Sequence, residues 1–255
     1  MPASPNTFVW YELMTTDVAA EAFYQSVVGW APQVMGHEGM RYTIMNAGGV
    51  PVSGVMQLSA AMCDAGARPG WRGYMGVPDV DAATERLRQA GGTVHRAPDD
   101  IPDVGRFSVV ADPQGAAFNL FTPKGGDNPA APAGTPGHVG WHELYTTDWQ
   151  AAFSFYADQF GWTKVREFDM GPMGTYLLFA AGGAEIGGIM NKPDAVPHPA
   201  WTFYFNVEAI DAAVARVAQG GGSVIHGPVE VPGGSWIVQA MDPQGAMFAL
   251  VAPRR

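Results

Sequence analysis

Two carboxylates stand in matching surroundings far apart in this 255-residue chain, in Trp10-Tyr11-Glu12-Leu13 and Trp141-His142-Glu143-Leu144. Each lies among aromatic and aliphatic residues, where a glutamate is costly to bury without a partner. Two roles are open to it. Its pKa can rise until it serves as a general base or acid near neutral pH. Or it can satisfy backbone, tyrosine or tryptophan donors inside the fold. Period-two alternation puts Trp10, Glu12 and Met14 on one strand face, and Trp141, Glu143 and Tyr145 on one face of the second copy. The same alternation turns His142 away from Glu143, so the pair cannot serve one site without a bulge. His37, His95, His138, His198 and His226 lie near glycine or proline with no ligand spacing. Cys63, the single cysteine, excludes an internal disulfide and sits in a loop-like stretch (59–69) with no histidine nearby. Nucleophile-elbow, P-loop and zinc-finger spacings are absent.

The elements that must position these residues are written twice. Asp112-Pro-Gln-Gly115 returns as Asp242-Pro-Gln-Gly245; Phe23-Tyr24 and Gly29-Trp30 return as Phe155-Tyr156 and Gly161-Trp162. Tyr42 with Gly48-Gly49 returns as Tyr176 with Gly182-Gly183, and the offset drifts only between 130 and 134. Register held over a whole chain marks a duplicated unit of about 120 residues. The stretch from Thr122 to Gly137 has almost no bulky apolar residue and reads as a linker. Module one is expected over 5–124, the linker over 125–136 and module two over 137–253.

Each module parses alike. In module one, Phe8 to Met14 reads as a strand, then Asp17 caps a helix that runs to Gly29. Strands at 41–46 and 50–58 flank Gly48-Gly49, and another spans 70–77. A helix capped by Asp79 or Asp81 runs to Gln89, and strands at 106–110 and 116–121 flank the Asp-Pro-Gln-Gly turn. The class is α+β, with two β-α units per module and extra hairpins between and after them. Apolar residues make up 47% of the chain, enough for an ordinary core in each module. A net charge of −10 argues against nucleic acid or an anionic membrane as partner and permits a cationic ligand. Residues 1–7 show no signal-peptide pattern and no apolar run reaches 18 residues, so a cytoplasmic protein is expected.

The order is a strand, a helix with Phe-Tyr, Gly-Trp, a hairpin, an Asp-Ala-Ala helix and Asp-Pro-x-Gly before the last strand. In that order, twice over, the chain resembles the vicinal oxygen chelate superfamily of glyoxalase I, bleomycin and fosfomycin resistance proteins and extradiol dioxygenases. Within it the chain is similar to two-module glyoxalase-like proteins labelled hydroxylases. The resemblance implies tandem βαβββ modules whose curved mixed sheets surround a cup for a divalent metal and a substrate, and, by family habit, a homodimer.

Carried onto this chain, the family's ligand positions fall on Trp10 and Trp141, near Arg72 and Thr202, and on Asn119 and Ala249. None is a His, Asp, Glu or Cys, the donors a zinc or non-haem iron site needs. No cofactor is therefore expected. The resemblance directs Glu12, Glu143, Tyr74, Tyr204 and Asn119 into the cup; Tyr42 and Tyr176 lie on a hairpin strand whose facing the pattern does not fix. Glu12, Glu143, Tyr74 and Tyr204 are the candidate acid-base groups. Trp10, Trp141, Tyr42, Tyr176, Arg72 and Asn119 are the candidate ligand contacts. Three readings stay open: a metal-free binding or drug-sequestering protein; a metal-independent acid-base enzyme; and a divergent glyoxalase or dioxygenase with Glu12, Glu143 and His142 as displaced ligands to a divalent metal.

Overall fold

The computed structural model describes residues 6–37, 40–125 and 131–255. Parts of the expected linker (126–130) and of the N-terminal stretch read for a signal (1–5) lie outside the described residues. Module one runs β1 (Phe8–Thr15), α1 (Ala20–Val28), β2 (Ala31–His37), β3 (Met40–Ala47) and β4 (Val50–Gln57). After a short α2 (Ala60–Asp64) come β5 (Gly70–Gly76), α3 (Val80–Gln89), β6 (Thr93–Ile101), β7 (Gly105–Ala111) and β8 (Ala117–Pro123). Module two opens with β9 (Val139–Thr146), α4 (Trp149–Phe160), β10 (Thr163–Asp169), β11 (Thr175–Ala181) and β12 (Ala184–Asn191). It closes with β13 (Ala200–Asn206), α5 (Ile210–Gln219), β14 (Ser223–Glu230), β15 (Trp236–Met241) and β16 (Met247–Ala252). Each module is thus βαβββ in kind and carries that order twice, in a mixed eight-stranded sheet. The strand orders match: β2-β3-β4-β1-β5-β8-β7-β6 and β10-β11-β12-β9-β13-β16-β15-β14.

Three details differ from the sequence reading. Helix α1 starts at Ala20; Asp17 accepts the Ala19 N–H in the turn before it, and Ala19 is the cap. In module two Asp148 does cap α4, accepting from the N–H groups of Gln150 and Ala151. Cys63 lies on the short helix α2, not in a loop. Strands β2, β6, β10 and β14 went unread. They are the sheet edges, exposed along nearly their whole length, so they carry no period-two apolar signature.

The chain divides into two compact units, and neither is a module. The first holds Met1–Val9, Gly73–Ala130 and His142–Trp201; the second holds Trp10–Arg72, Ala131–Trp141 and Thr202–Arg255. Each unit joins half of one module to half of the other. In the second unit, the Trp71 Nε1–H donates to the Tyr24 hydroxyl (2.9 Å), which donates to Asp242 Oδ2 (3.1 Å). The other Asp242 oxygen accepts the N–H groups of Gln244 and Ala246 and so closes the Asp-Pro-Gln-Gly turn. The first unit repeats this relay: Trp201 donates to Tyr156 (3.0 Å), Tyr156 to Asp112 (3.1 Å), and Asp112 Oδ1 accepts from Gln114 and Ala116. Burial raises both aspartate pKa values, opposed by these backbone and tyrosine donors. The tryptophan after each first helix reaches the other module too. Trp30 donates to the Gly137 carbonyl (2.7 Å) and Trp162 to the Asn6 carbonyl (2.8 Å). Aromatic packing fills the same interiors: Tyr24 meets Trp30, Phe205 and Phe248, and Tyr156 meets Trp162, Phe118 and Phe160.

Candidate functional site

Glu12 lies in β1 with 8% of its surface exposed and pairs in register with Gly54 of β4. Gly54 is glycine for a steric reason. A Cβ there would stand 1.9 Å from the Tyr42 hydroxyl oxygen, because the Tyr42 ring of β3 lies across it. Tyr42 accepts the Trp10 Nε1–H (3.1 Å) and donates to Glu12. Burial first, then the Glu12 charge, hold the Tyr42 hydroxyl well above the usual phenol range. Glu12 is therefore a seated carboxylate, aimed by Tyr42. Module two repeats the seat: Glu143, 6% exposed, pairs with Gly188 of β12, and a Cβ there would stand 2.2 Å from Tyr176 Cζ. Trp10 and Trp141 are half-buried, as is Arg72 on β5.

Tyr74 and Tyr204 occupy the other half of each sheet. In module one Tyr74 of β5 pairs with Asn119 of β8, and Asn119 pairs with Val109 of β7. The same face carries Phe107 and Phe121, which pair with each other and whose rings lie 6.5 and 5.9 Å from the Tyr74 ring. The opposite face belongs to helix α3, whose Thr84 hydroxyl meets the Ser108 hydroxyl (2.8 Å). Asn119 is 2% exposed, and its Oδ1 has no hydrogen-bond partner among the described residues. In module two Tyr204 pairs with Ala249, and Ala249 with Gln239. Gln239 donates through Nε2 to the Tyr204 hydroxyl (2.8 Å).

His142 points away from this chemistry. It is 7% exposed, stacked on Phe8, with Nδ1 2.7 Å from the Ile186 carbonyl. Burial lowers its pKa to about 4, so the imidazole is neutral at physiological pH and Nδ1 is the donor. His95 and His226 are exposed on edge strands. Sequence reasoning missed Gly54, Gly188 and Gln239. The two glycines did leave a signal, since a glycine inside a strand marks close approach of another group.

The family model for the Glyoxalase/Bleomycin resistance protein/Dioxygenase superfamily matches residues 7–120 and 135–250. The chain belongs to that superfamily. It is 34% identical to the Mycobacterium tuberculosis protein named "Putative glyoxylase CFP32" over 98% of this chain and 95% of that one. It is 34% identical to the anthracycline biosynthesis protein DnrV of Streptomyces peucetius, over 98% and 94% of the two chains. The fold matches the Mn(II)-bound glyoxalase from Novosphingobium aromaticivorans, with a TM-score of 0.69 at 18% identity over 98% of this chain and 83% of that one. It also matches the 2,3-dioxygenase LapB of Pseudomonas sp. KL28, with a TM-score of 0.64 at 14% identity over 97% and 93%.

A divalent metal is what this fold family implies, and the donor set here does not suit one. Among the described residues no three His, Cys, Asp or Glu side chains gather to hold an ion. The positions that the resemblance sets against the family's ligands carry indole, guanidinium, carboxamide, hydroxyl and methyl groups. No helix of the described residues is long and apolar enough to cross a membrane.

Proposed function

We propose that this glyoxalase-like chain binds a small organic molecule through aromatic, glutamate- and tyrosine-bearing sheet faces, without the metal its family uses. The observation that carries this reading is the seating of Glu12. Tryptophan replaces a ligand at position 10, and the Tyr42 hydroxyl, which accepts the indole N–H, instead holds a buried carboxylate two residues on. Such a carboxylate can accept a proton or a hydrogen bond from a bound molecule. Glu143 over Gly188 is the second copy of the seat, and Tyr74 and Tyr204 are the hydroxyl donors for a developing oxyanion. The names of the Streptomyces relatives, which place them in anthracycline biosynthesis, favour an aromatic ligand.

The test combines metal retention with ligand response. Protein purified without chelator and loaded in turn with iron, zinc, manganese and nickel is expected to keep far less than one equivalent of each. Thermal-shift screening of aromatic compounds is expected to give hits that survive EDTA and weaken in Glu12→Gln. Retention near one equivalent of one metal overturns the metal-free reading.

A further inference from the structure

The two modules repeat each other along most of their length, yet the β5–β8 and β13–β16 faces differ in their buried polar groups. On the β5–β8 face the Asn119 carboxamide is 2% exposed and its oxygen meets no donor among the described residues. On the β13–β16 face the matching position is Ala249, and the amide of its cross-strand neighbour Gln239 donates to Tyr204. A buried carbonyl oxygen without a donor is unfavourable, so a fold built for stability alone replaces it with an apolar group. Its surroundings are apolar and aromatic: Tyr74, Phe107 and Phe121 on the same face. In module two Ile237 and Val251 stand where Phe107 and Phe121 stand, so that face has lost the rings as well as the acceptor.

We infer that ligand recognition is asymmetric. Module one alone takes an aromatic molecule bearing a hydroxyl or N–H donor; the ring packs against Tyr74, Phe107 and Phe121, and the donor meets Asn119 Oδ1. This deepens the binding reading above and rests on it. Asn119 sets specificity: a ligand that lacks the donor leaves the oxygen as it was and forfeits the hydrogen bond.

The probes are 4-fluorophenol and 4-fluoroanisole, which differ by one O–H, followed by fluorine NMR titration of the full chain. 4-Fluorophenol is expected to saturate at one equivalent per chain, and 4-fluoroanisole to bind about tenfold more weakly. Asn119→Leu is expected to abolish that preference while raising the melting temperature, which a merely structural asparagine would not do. Asn119→Ala, a smaller change, serves as the second variant for the same loss of preference. Gln239→Leu, in module two, is expected to leave the preference unchanged. Equal binding of the two probes, two equivalents of phenol per chain, or a preference that survives at position 119 overturns the inference and leaves the binding reading standing. If the wild-type chain binds neither probe, the binding reading itself fails, and the inference with it.

Discussion

The β5–β8 and β13–β16 faces come from matching parts of the repeat, share a register and place a tyrosine at the same point, Tyr74 and Tyr204. One surrounds its tyrosine with two phenylalanines and an asparagine whose Oδ1 meets no donor among the described residues; the other has aliphatic neighbours and a glutamine bonded to the ring hydroxyl. Behind them the Trp–Tyr–Asp relays match to within about 0.1 Å in both donor–acceptor steps. The duplication is kept in the relay inside each unit and broken on these sheet faces. A buried relay fails if any member changes, whereas a sheet face can trade one side chain at a time.

The largest effects should come from that shared relay. Asp112→Ala or Asp242→Ala strips the acceptor from a tyrosine and two backbone N–H groups, and each is expected to cost about 4 kcal/mol by urea denaturation. Costs that differ by more than about 2 kcal/mol between the two sites would break the equivalence of the units.

Next comes position 142, where module two has His142 and module one has Tyr11. In the unfolded chain a histidine takes up a proton near pH 6.5, while folded His142 stays neutral down to about pH 4. The unfolded state binds more protons in that window, so stability falls as pH drops from about 6.5 to 4, by up to about 3 kcal/mol. Urea midpoints measured at pH 7 and 5 should show the loss in wild type and a flatter response in His142→Phe. An equal slope in both proteins would assign the pH dependence elsewhere.

The smallest shifts test the faces themselves. Asn119→Leu removes an unmet oxygen and is expected to stabilise by about 1 kcal/mol, whereas Gln239→Leu removes a made bond and is expected to destabilise by about 1 kcal/mol. Melting curves that move in the same direction would erase the contrast between the faces.

Much of this was legible in the residues. The duplication, the main helices and the strands with one buried face follow from repeat spacing and alternation. The edge strands did not, because Thr163–Asp169 and Ser223–Glu230 bury neither face and leave no pattern. Asp-Pro-Gln-Gly reads as a turn, and it is one; that its aspartate also receives a tyrosine 218 residues away is a tertiary fact with no local trace. The facing of Tyr42 was open in sequence although Gly54 carried the clue. Gln239 escaped because the amide sits one strand over from its counterpart, so aligning the copies sets Gln239 against Val109 and Ala249 against Asn119.

The reach from Tyr24 to Asp242 has a consequence for how the protein is made. The first unit draws on residues no later than 201, so its last piece is made before that of the second unit. The second unit begins at Trp10, but its turn aspartate, which also binds the Ala246 N–H, is made 218 residues after Tyr24. Most of β1, with α1 and β2 to β4, is made before the Thr202–Arg255 part of its unit and waits for it. Through that interval the nascent chain carries them without these partners, and so with apolar surface open to chaperones and to other chains.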